Sequence, residues 1–232
     1  MSDARVFMRL HLEALFTLDR LGRLLGANDA SAAPAPRFFM GRTLDGNVWA
    51  VRHDVPKVLA SQLNARAAEM PAGLDAGAPP EQLQPFLGTL ASHQPVTKTW
   101  VGPNYSFPHH LPCSEGTVIV TSTNASVLSP HLEEWLEDVA QAVPMTAYVD
   151  SGHAVAVCAS VRVSARAHEA GVETHPEFRG RGHGSRVVAA WAEHVRGIGL
   201  IPLYSTSWEN VPSRRVAAKL GLIHYGSVFH IT

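Results

Sequence analysis

Apolar positions in the first hundred residues fall into short runs broken by turn residues. Residues 37–42 and 48–53 each read as a strand, and Leu44-Asp45-Gly46-Asn47 between them has the composition of a hairpin turn. The leucines at 10, 18, 21 and 25 fit a helix, whereas Asp19-Arg20-Leu21-Gly22 between two apolar runs fits a second hairpin, so the pattern leaves both readings open there. Val58, Leu59, Leu63 and Ala67 after Pro56 predict a helix that starts on the proline. Residues 70–80 are rich in Pro, Gly and Ala and read as a loop. A short helix over 80–90 follows, then a Pro- and His-containing stretch to Pro112.

Beyond that point the pattern becomes regular. Residues 117–121 are β-branched and predict a strand. Ser129-Pro130 is read as opening a helix through Leu132, Trp135, Leu136 and Val139, with Glu133, Glu134, Glu137 and Asp138 toward solvent. Strands at 145–150 and 154–164 flank the turn Ser151-Gly152-His153, and a third strand covers 169–174. Val187, Val188, Trp191, Ala192, Val195 and Ile198 form a helical apolar stripe. A strand at 202–207, a helix over 210–220 and a last strand near 225–231 complete the reading. Trp135 and Trp191 fall on apolar stripes and read as core. The expected class is α/β (α+β), with a smaller N-terminal α+β region at 1–111 and an α/β domain with a mixed sheet at 112–232.

Composition narrows the setting without naming a function. Apolar residues make up 46% and charged residues 17%, values of a folded globular chain, and a formal charge of −1 gives no electrostatic argument for nucleic-acid or membrane partners. Two cysteines, Cys113 and Cys158, form no disulfide framework and suit a reducing compartment; Cys158 lies in an apolar run and reads as an inert buried thiol. Asp3 and Glu13 interrupt the apolar N-terminal residues as no signal peptide does, and no run is long enough to cross a bilayer, so a cytoplasmic location is expected. Thirteen histidines raise the question of a metal, but His109-His110-Leu111-Pro112-Cys113 lacks a second ligand pair, and none is expected.

The densest chemical signal is His175-Pro176-Glu177-Phe178-Arg179-Gly180-Arg181-Gly182-His183-Gly184-Ser185. Its glycines lie between a strand and a helix N-terminus, where unpaired N–H groups and the helix dipole favour an anion such as a diphosphate. A plain strand-to-helix turn is the alternative. The dinucleotide fingerprint G-x-G-x-x-G and the G-K-[ST] end of a P-loop are both missing, and a disordered RGG-type segment would be repeated.

The same residues resemble the central motif of the GNAT superfamily of acyl-CoA N-acyltransferases, R/Q-x-x-G-x-G/A after a strand ending near a proline. Arg179, Gly182 and Gly184 meet it, with Gly180 also in the usual place. Downstream, Trp208-Glu209-Asn210-Val211-Pro212-Ser213 and Ala218-Lys219-Leu220-Gly221-Leu222 are similar to the second family motif, N-x-x-[AS] followed by K-L-G-F. The resemblance covers the C-terminal half. It implies a mixed, mostly antiparallel sheet flanked by helices, in which two neighbouring parallel strands splay into a V-shaped cleft. It also implies acetyl-CoA as acyl donor. The pantetheine arm would pair with the backbone around Val172 and Thr174. The diphosphate would rest on the amides of Arg179, Gly180, Arg181, Gly182, His183, Gly184 and Ser185, and Asn210 and Ser213 would touch the arm. Asn210 also suits an N-cap. Among the nearby basic residues Arg179, Arg181, Arg214, Arg215 and Lys219, some would face the 3′-phosphate or simply solvent.

Acyl transfer to an amine needs a base and a way for the thiolate to leave. Glu173 is the first candidate base, with Glu169 and His168 further back on its strand; a carboxylate merely exposed at a strand end is the plain alternative. Alternation places Glu169 and Glu173 on one face unless a bulge intervenes. The tyrosine that many family members use as acid is replaced here by Ala217. Tyr204 is the candidate catalytic acid in its stead, beside His224 and Tyr225 as other donors, and unassisted departure of the thiolate is also chemically open. The expected function is transfer of an acetyl group from acetyl-CoA to a primary amine of a small molecule, amino acid or peptide by direct attack in a ternary complex. Trp100, Tyr105 and Phe107 would line the acceptor pocket or serve as packing. A homodimer is compatible with this reading. The rival is a non-catalytic acyl-CoA sensor, which Ala217 favours; a phosphate-binding protein unrelated to CoA is a third.

Overall fold

The computed structural model describes residues 4–29, 31, 33–73, 80, 82–112 and 114–232. Asp3, Cys113 and most of the loop at 70–80 lie outside them. In chain order the elements are α1 (Ala4–Leu15), β1 (Phe16–Leu18), β2 (Leu24–Ala27), β3 (Phe38–Arg42), β4 (Val48–Val51), α2 (Lys57–Glu69), α3 (Leu83–Ala91), β5 (Thr99–Ser106), β6 (Thr117–Val120), β7 (Met145–Asp150), β8 (His153–Val163), β9 (Ala167–Thr174), α4 (His183–Gly197), β10 (Ile201–Ser205), α5 (Val211–Lys219) and β11 (Ile223–Ile231). They divide into two compact units. One holds Met1–Tyr105, Ser205–Val211 and His224–Thr232; the other holds Ser106–Tyr204 and Pro212–Ile223.

In the first unit the strands run in the order β4-β3-β11-β5, with β3 antiparallel to both β4 and β11. The segment with two open readings contains both: α1 ends at Leu15 and a β1–β2 hairpin follows, its turn tied by the Asp19 carboxylate accepting from the Leu21 and Arg23 amides at 2.8 and 2.9 Å. Phe38, Met40, Leu63, Phe86, Leu90, Phe229 and Ile231 form the core. The buried Arg37 guanidinium donates to the carbonyls of Leu90, Gln94 and Pro95, which closes the exposed C-terminal end of α3. The stretch before Pro112 is a strand, β5, at 99–106, which the sequence pattern did not show because Gly102 and Pro103 interrupt it.

In the second unit the order is β10-β9-β8-β7-β6; every pairing is antiparallel except β9 with β10. The sheet is thus mixed and mostly antiparallel, as expected. Alternate residues of β8 and β9 face opposite sides. One side packs on α4, whose Val187, Val188, Trp191, Ala192 and Val195 are buried. Ile198, expected on that stripe, lies just past the helix end and is 60% exposed. The other side carries Ala147, Val157 and Ala159 in a cluster with Leu128, Leu132 and Val139.

The α-helix expected over 129–139 does not form. Its place is taken by short 3₁₀ turns at Ala125–Leu128 and Glu133–Trp135, with Ser129 and Leu132 both outside helical geometry. Pro130 would suit the first turn of a helix, but the backbone leaves helical geometry after it, at Leu132 with φ −138° and ψ 39°, so only the short turn at Glu133–Trp135 follows. The apolar spacing still holds Leu132 and Val139 in the cluster, but Leu136 is exposed.

Between α4 and the sheet, Trp191 Nε1–H donates to Ser160 Oγ at 3.0 Å, and Ser160 sits 2.8 Å from His168 Nδ1. The Ser160 hydroxyl accepts from the indole and pairs with His168, the histidine tautomer setting which of the two donates there. Burial holds the His168 pKa below the usual histidine value. A pKa depressed on folding gives stability that is present above the unfolded value near ~6.5 and lost as pH falls through the folded one. The melting temperature is therefore expected to fall on acidification from about pH 7 to about pH 5, with a shallower slope in His168→Asn. Parallel slopes would remove His168 from the cause. Cys158, on the same side, is fully buried, and burial pushes its thiol well up, as an inert core residue requires.

Candidate active site

The site is built where β9 and β10 part. Their parallel register runs Ala167–Ile201, His168–Pro202 and Glu169–Leu203 and then ends, while β9 continues to Thr174. Residues 170–174 remain paired to β8 on one edge only. The other edge of β9 therefore offers peptide groups to an added extended segment.

A 3₁₀ turn, Pro176–Phe178, follows β9, and the chain then enters α4 through Gly180 and Gly182, at φ 80° and 86°. Gly182 caps α4 in the left-handed region, which a side chain disfavours. Gly184 permits close approach: a Cβ there would lie 3.2 Å from Thr174 Oγ1 and 3.6 Å from Val216 Cγ2. Val172 and Thr174 thus face the start of α4, and Glu173 faces the opposite side of the sheet.

The Arg179 amide donates to Pro176 O at 3.3 Å. Among the described residues, the amides of residues 180–185 donate to no protein acceptor. Six successive N–H groups at a helix mouth form an anion cradle. The Lys219 ammonium sits against Gly182, where a Cβ would stand. Several side chains of this loop are engaged locally. Arg179 Nε donates to Thr174 O at 3.0 Å, Arg181 donates to Glu177 O and lies over the Phe178 ring, and Ser185 Oγ donates to Gly182 O at 2.8 Å. The loop thus offers its backbone to an anion more than these side chains.

His183 stacks on Tyr148 at 4.2 Å between centroids, and Arg186 lies over the same tyrosine. Burial, then Arg186 and Arg181, lower the His183 pKa against a weaker opposing pull from Asp150. Its Nδ1 is buried and has no hydrogen-bond partner among the described residues.

Glu173 pairs in register with Val157, and its carboxylate Oε2 accepts from Trp135 Nε1–H at 2.8 Å. The only irregularity in the β8–β9 ladder falls between Ser160 and Arg162 of β8, so β9 keeps its alternation and Glu169 and Glu173 share a face. Glu169 is 3% exposed, which withdraws it from an acceptor. Tyr204 is 1% exposed; its hydroxyl lies 2.7 Å from Ser213 Oγ on α5. Ala217 is buried too, so no donor comes from the family's usual place.

Asn210 precedes α5 in a turn of the first unit, its amide bonded to Ser207 O. His224 lies between Tyr105 and Trp208, and Trp100 stacks on His230, contacts internal to that unit. Phe107 packs on Trp191 and Tyr204. Among the described residues, no group of three His, Cys, Asp or Glu is arranged to hold a metal, and no helix is long and apolar enough to cross a membrane. The Trp135–Glu173 bond and the seat of Lys219 were not visible in the sequence. The first joins residues 38 apart through a turn that read as helix, and the second depends on how α5 returns to the loop.

The fold has known counterparts. A GNAT-family acetyltransferase from Colwellia psychrerythraea matches at 14% identity and a TM-score of 0.52 over 99% of this chain and 96% of that one. A GCN5-related N-acetyltransferase-like protein from Streptococcus suis matches at 14% identity and 0.51, over 99% and 98%. A protein assigned to the GNAT acetyltransferases from Novosphingobium aromaticivorans matches at 17% and 0.49, over 59% of this chain; the match spans 65% of that protein's chain. No curated protein sequence matches. The sequence profile of the GNAT acetyltransferases matches residues 145–227. Residues 145–227 thus resemble the GNAT acetyltransferases. The matched GNAT region runs from β7 into β11, and the splay, the amide cradle and the Tyr204–Ser213 pair all fall inside it.

Proposed function

We propose that the protein transfers an acetyl group from acetyl-CoA to a primary amine of a small molecule, amino acid or peptide, by direct attack in a ternary complex. The observation that carries this reading is the run of unspent amides at 180–185 beside the free edge of β9. The residues fit the cosubstrate: the cradle with Lys219 suits a diphosphate, and 170–174 suits the amide-bearing arm. His183 and the amide of Ser185 belong to the same cradle, Ser213 faces the arm from α5, and Asn210 is assigned to it by the family motif alone.

Acetyl-CoA supplies the activated acyl group, and the chain supplies position and proton transfer. Glu173 takes one proton from the acceptor ammonium, so that the neutral nitrogen bonds to the thioester carbon. The carbon–sulfur bond breaks, and the thiolate takes a proton from Ser213, backed by Tyr204. The nitrogen's second proton restores that hydroxyl pair, so one proton leaves to solvent per turnover. Because Tyr204 is enclosed, it acts through Ser213 rather than on sulfur itself. Tyr204→Phe is expected to lower kcat by about 10-fold at an unchanged KM for acetyl-CoA. An unchanged kcat would assign the step to unassisted departure.

The buried Ala217 supports the second reading, a GNAT module that binds acyl-CoA without turnover. Both readings expect CoA to raise the melting temperature. Only the enzyme releases free thiol from acetyl-CoA when offered a panel of primary amines, amino acids and short peptides. Stabilisation by CoA with no thiol release from any of them supports the sensor. Stabilisation by ATP or NADP but not by CoA refutes both.

A further inference from the structure

We infer that Trp135 is a positioning residue for the base: its indole clamps one oxygen of Glu173 and leaves the other turned to the acceptor amine. The inference rests on the reading of Glu173 as the base. Trp135 ends the 3₁₀ turn Glu133–Trp135, and it packs against the cluster that includes Val157, the β8 partner of Glu173. The indole N–H meets Oε2 at 2.8 Å. Among the described residues it is the one hydrogen-bond partner of that side chain, so Oε1 is left uncommitted.

A glutamate at a strand end has a soft terminal torsion and would present either oxygen over a wide range of directions. A charge-assisted bond from a ring held by packing removes that freedom. It also leaves the carboxylate's proton-accepting capacity intact, because a carboxylate has lone pairs on both oxygens. The donor belongs to a segment that turns rather than continuing as a helix. The failure of the 129–139 helix is therefore what brings Trp135 over the strand, and the indole is a part of the catalytic geometry as well as of the core.

The test compares Trp135→Phe, Glu173→Gln and the double variant in the full chain, with thiol release from acetyl-CoA followed using the fastest amine of the panel. Trp135→Phe retains an aromatic ring in the cluster but loses the N–H and part of the indole's bulk, so a melting-temperature comparison accompanies the kinetics. The kcat of this variant is expected to fall by about 10-fold, with KM for acetyl-CoA within about twofold of the parent. If Trp135 acts through Glu173, the double variant is no slower than Glu173→Gln alone, because the two losses are one loss. Trp135→His, which restores a ring N–H, recovers part of the rate. The inference is overturned if Trp135→Phe keeps the parental kcat, or if the two losses multiply in the double variant, as a general packing defect would make them. Should Glu173→Gln itself keep full kcat, or no amine be turned over, the base reading has failed and the inference falls with it. A parental Trp135→Phe beside a crippled Glu173→Gln sinks the clamp alone.

Discussion

Glu173→Gln is expected to lower kcat by about 10²-fold or more, while the dissociation constant for CoA stays within about twofold of the parent. The substitution keeps the shape of the side chain and its capacity to accept the Trp135 N–H through the amide oxygen. What it removes is an oxygen able to hold a proton. Glu173 faces the side of the sheet opposite Val172 and Thr174, away from the amide cradle, so cosubstrate binding does not depend on its charge. The check is steady-state kinetics beside calorimetric titration of CoA. A variant with intact turnover would leave Glu173 a structural carboxylate that holds the Trp135 indole.

The second large effect is expected at Gly182. Gly182→Trp places a bulky side chain where the Lys219 ammonium now sits, and at a φ of 86° that L-residues rarely adopt. The strain alone costs about 1–2 kcal/mol, a tolerable loss for a folded domain. The obstruction of the cradle costs far more in binding, so CoA affinity is expected to fall by about 100-fold or beyond, since each tenfold is only about 1.4 kcal/mol of lost contact. The comparison is between CoA and pantetheine. If the cradle holds the diphosphate, the variant loses affinity for CoA and not for the phosphate-free arm. Equal losses for both would move the obstruction to the arm, and no loss for either would refute the placement.

The glycine loop, α4 and the strands at 145–174 were legible in the sequence because each is set by local rules. Alternating Val and Ala mark β8, the Ser151-Gly152-His153 turn fixes its start, and three glycines followed by a helical stripe have few structural solutions. The Tyr204–Ser213 contact was half legible. Tyr204 and Ser213 each stand out in the sequence, but their union needs β10 and α5 to meet. What stayed hidden was non-local or rested on a local rule overridden. Leu132, Trp135, Leu136 and Val139 have helical spacing, yet the backbone leaves helical geometry at Leu132, and of the expected stripe Leu132 and Val139 stay buried in the cluster. In β5, Gly102 and Pro103 disguise a strand, because Gly102 approaches the backbone of Thr206 and Ser207 more closely than any side chain would allow. No pattern within 99–106 announces that neighbour.

The pairing of β3 with β11 matters for how the protein comes into being. Phe38 and Met40 reach their final packing only beside Phe229 and Ile231, so the sheet near the start of the chain is completed by residues from its far end. During synthesis β3 leaves the ribosome long before its neighbour exists. Its free edge and apolar side chains must stay unpaired while the whole GNAT region is made. Residues 38–42 therefore wait through most of synthesis for their neighbour, and Phe7 and Phe16, which pack on Tyr225 and His230, wait longer still.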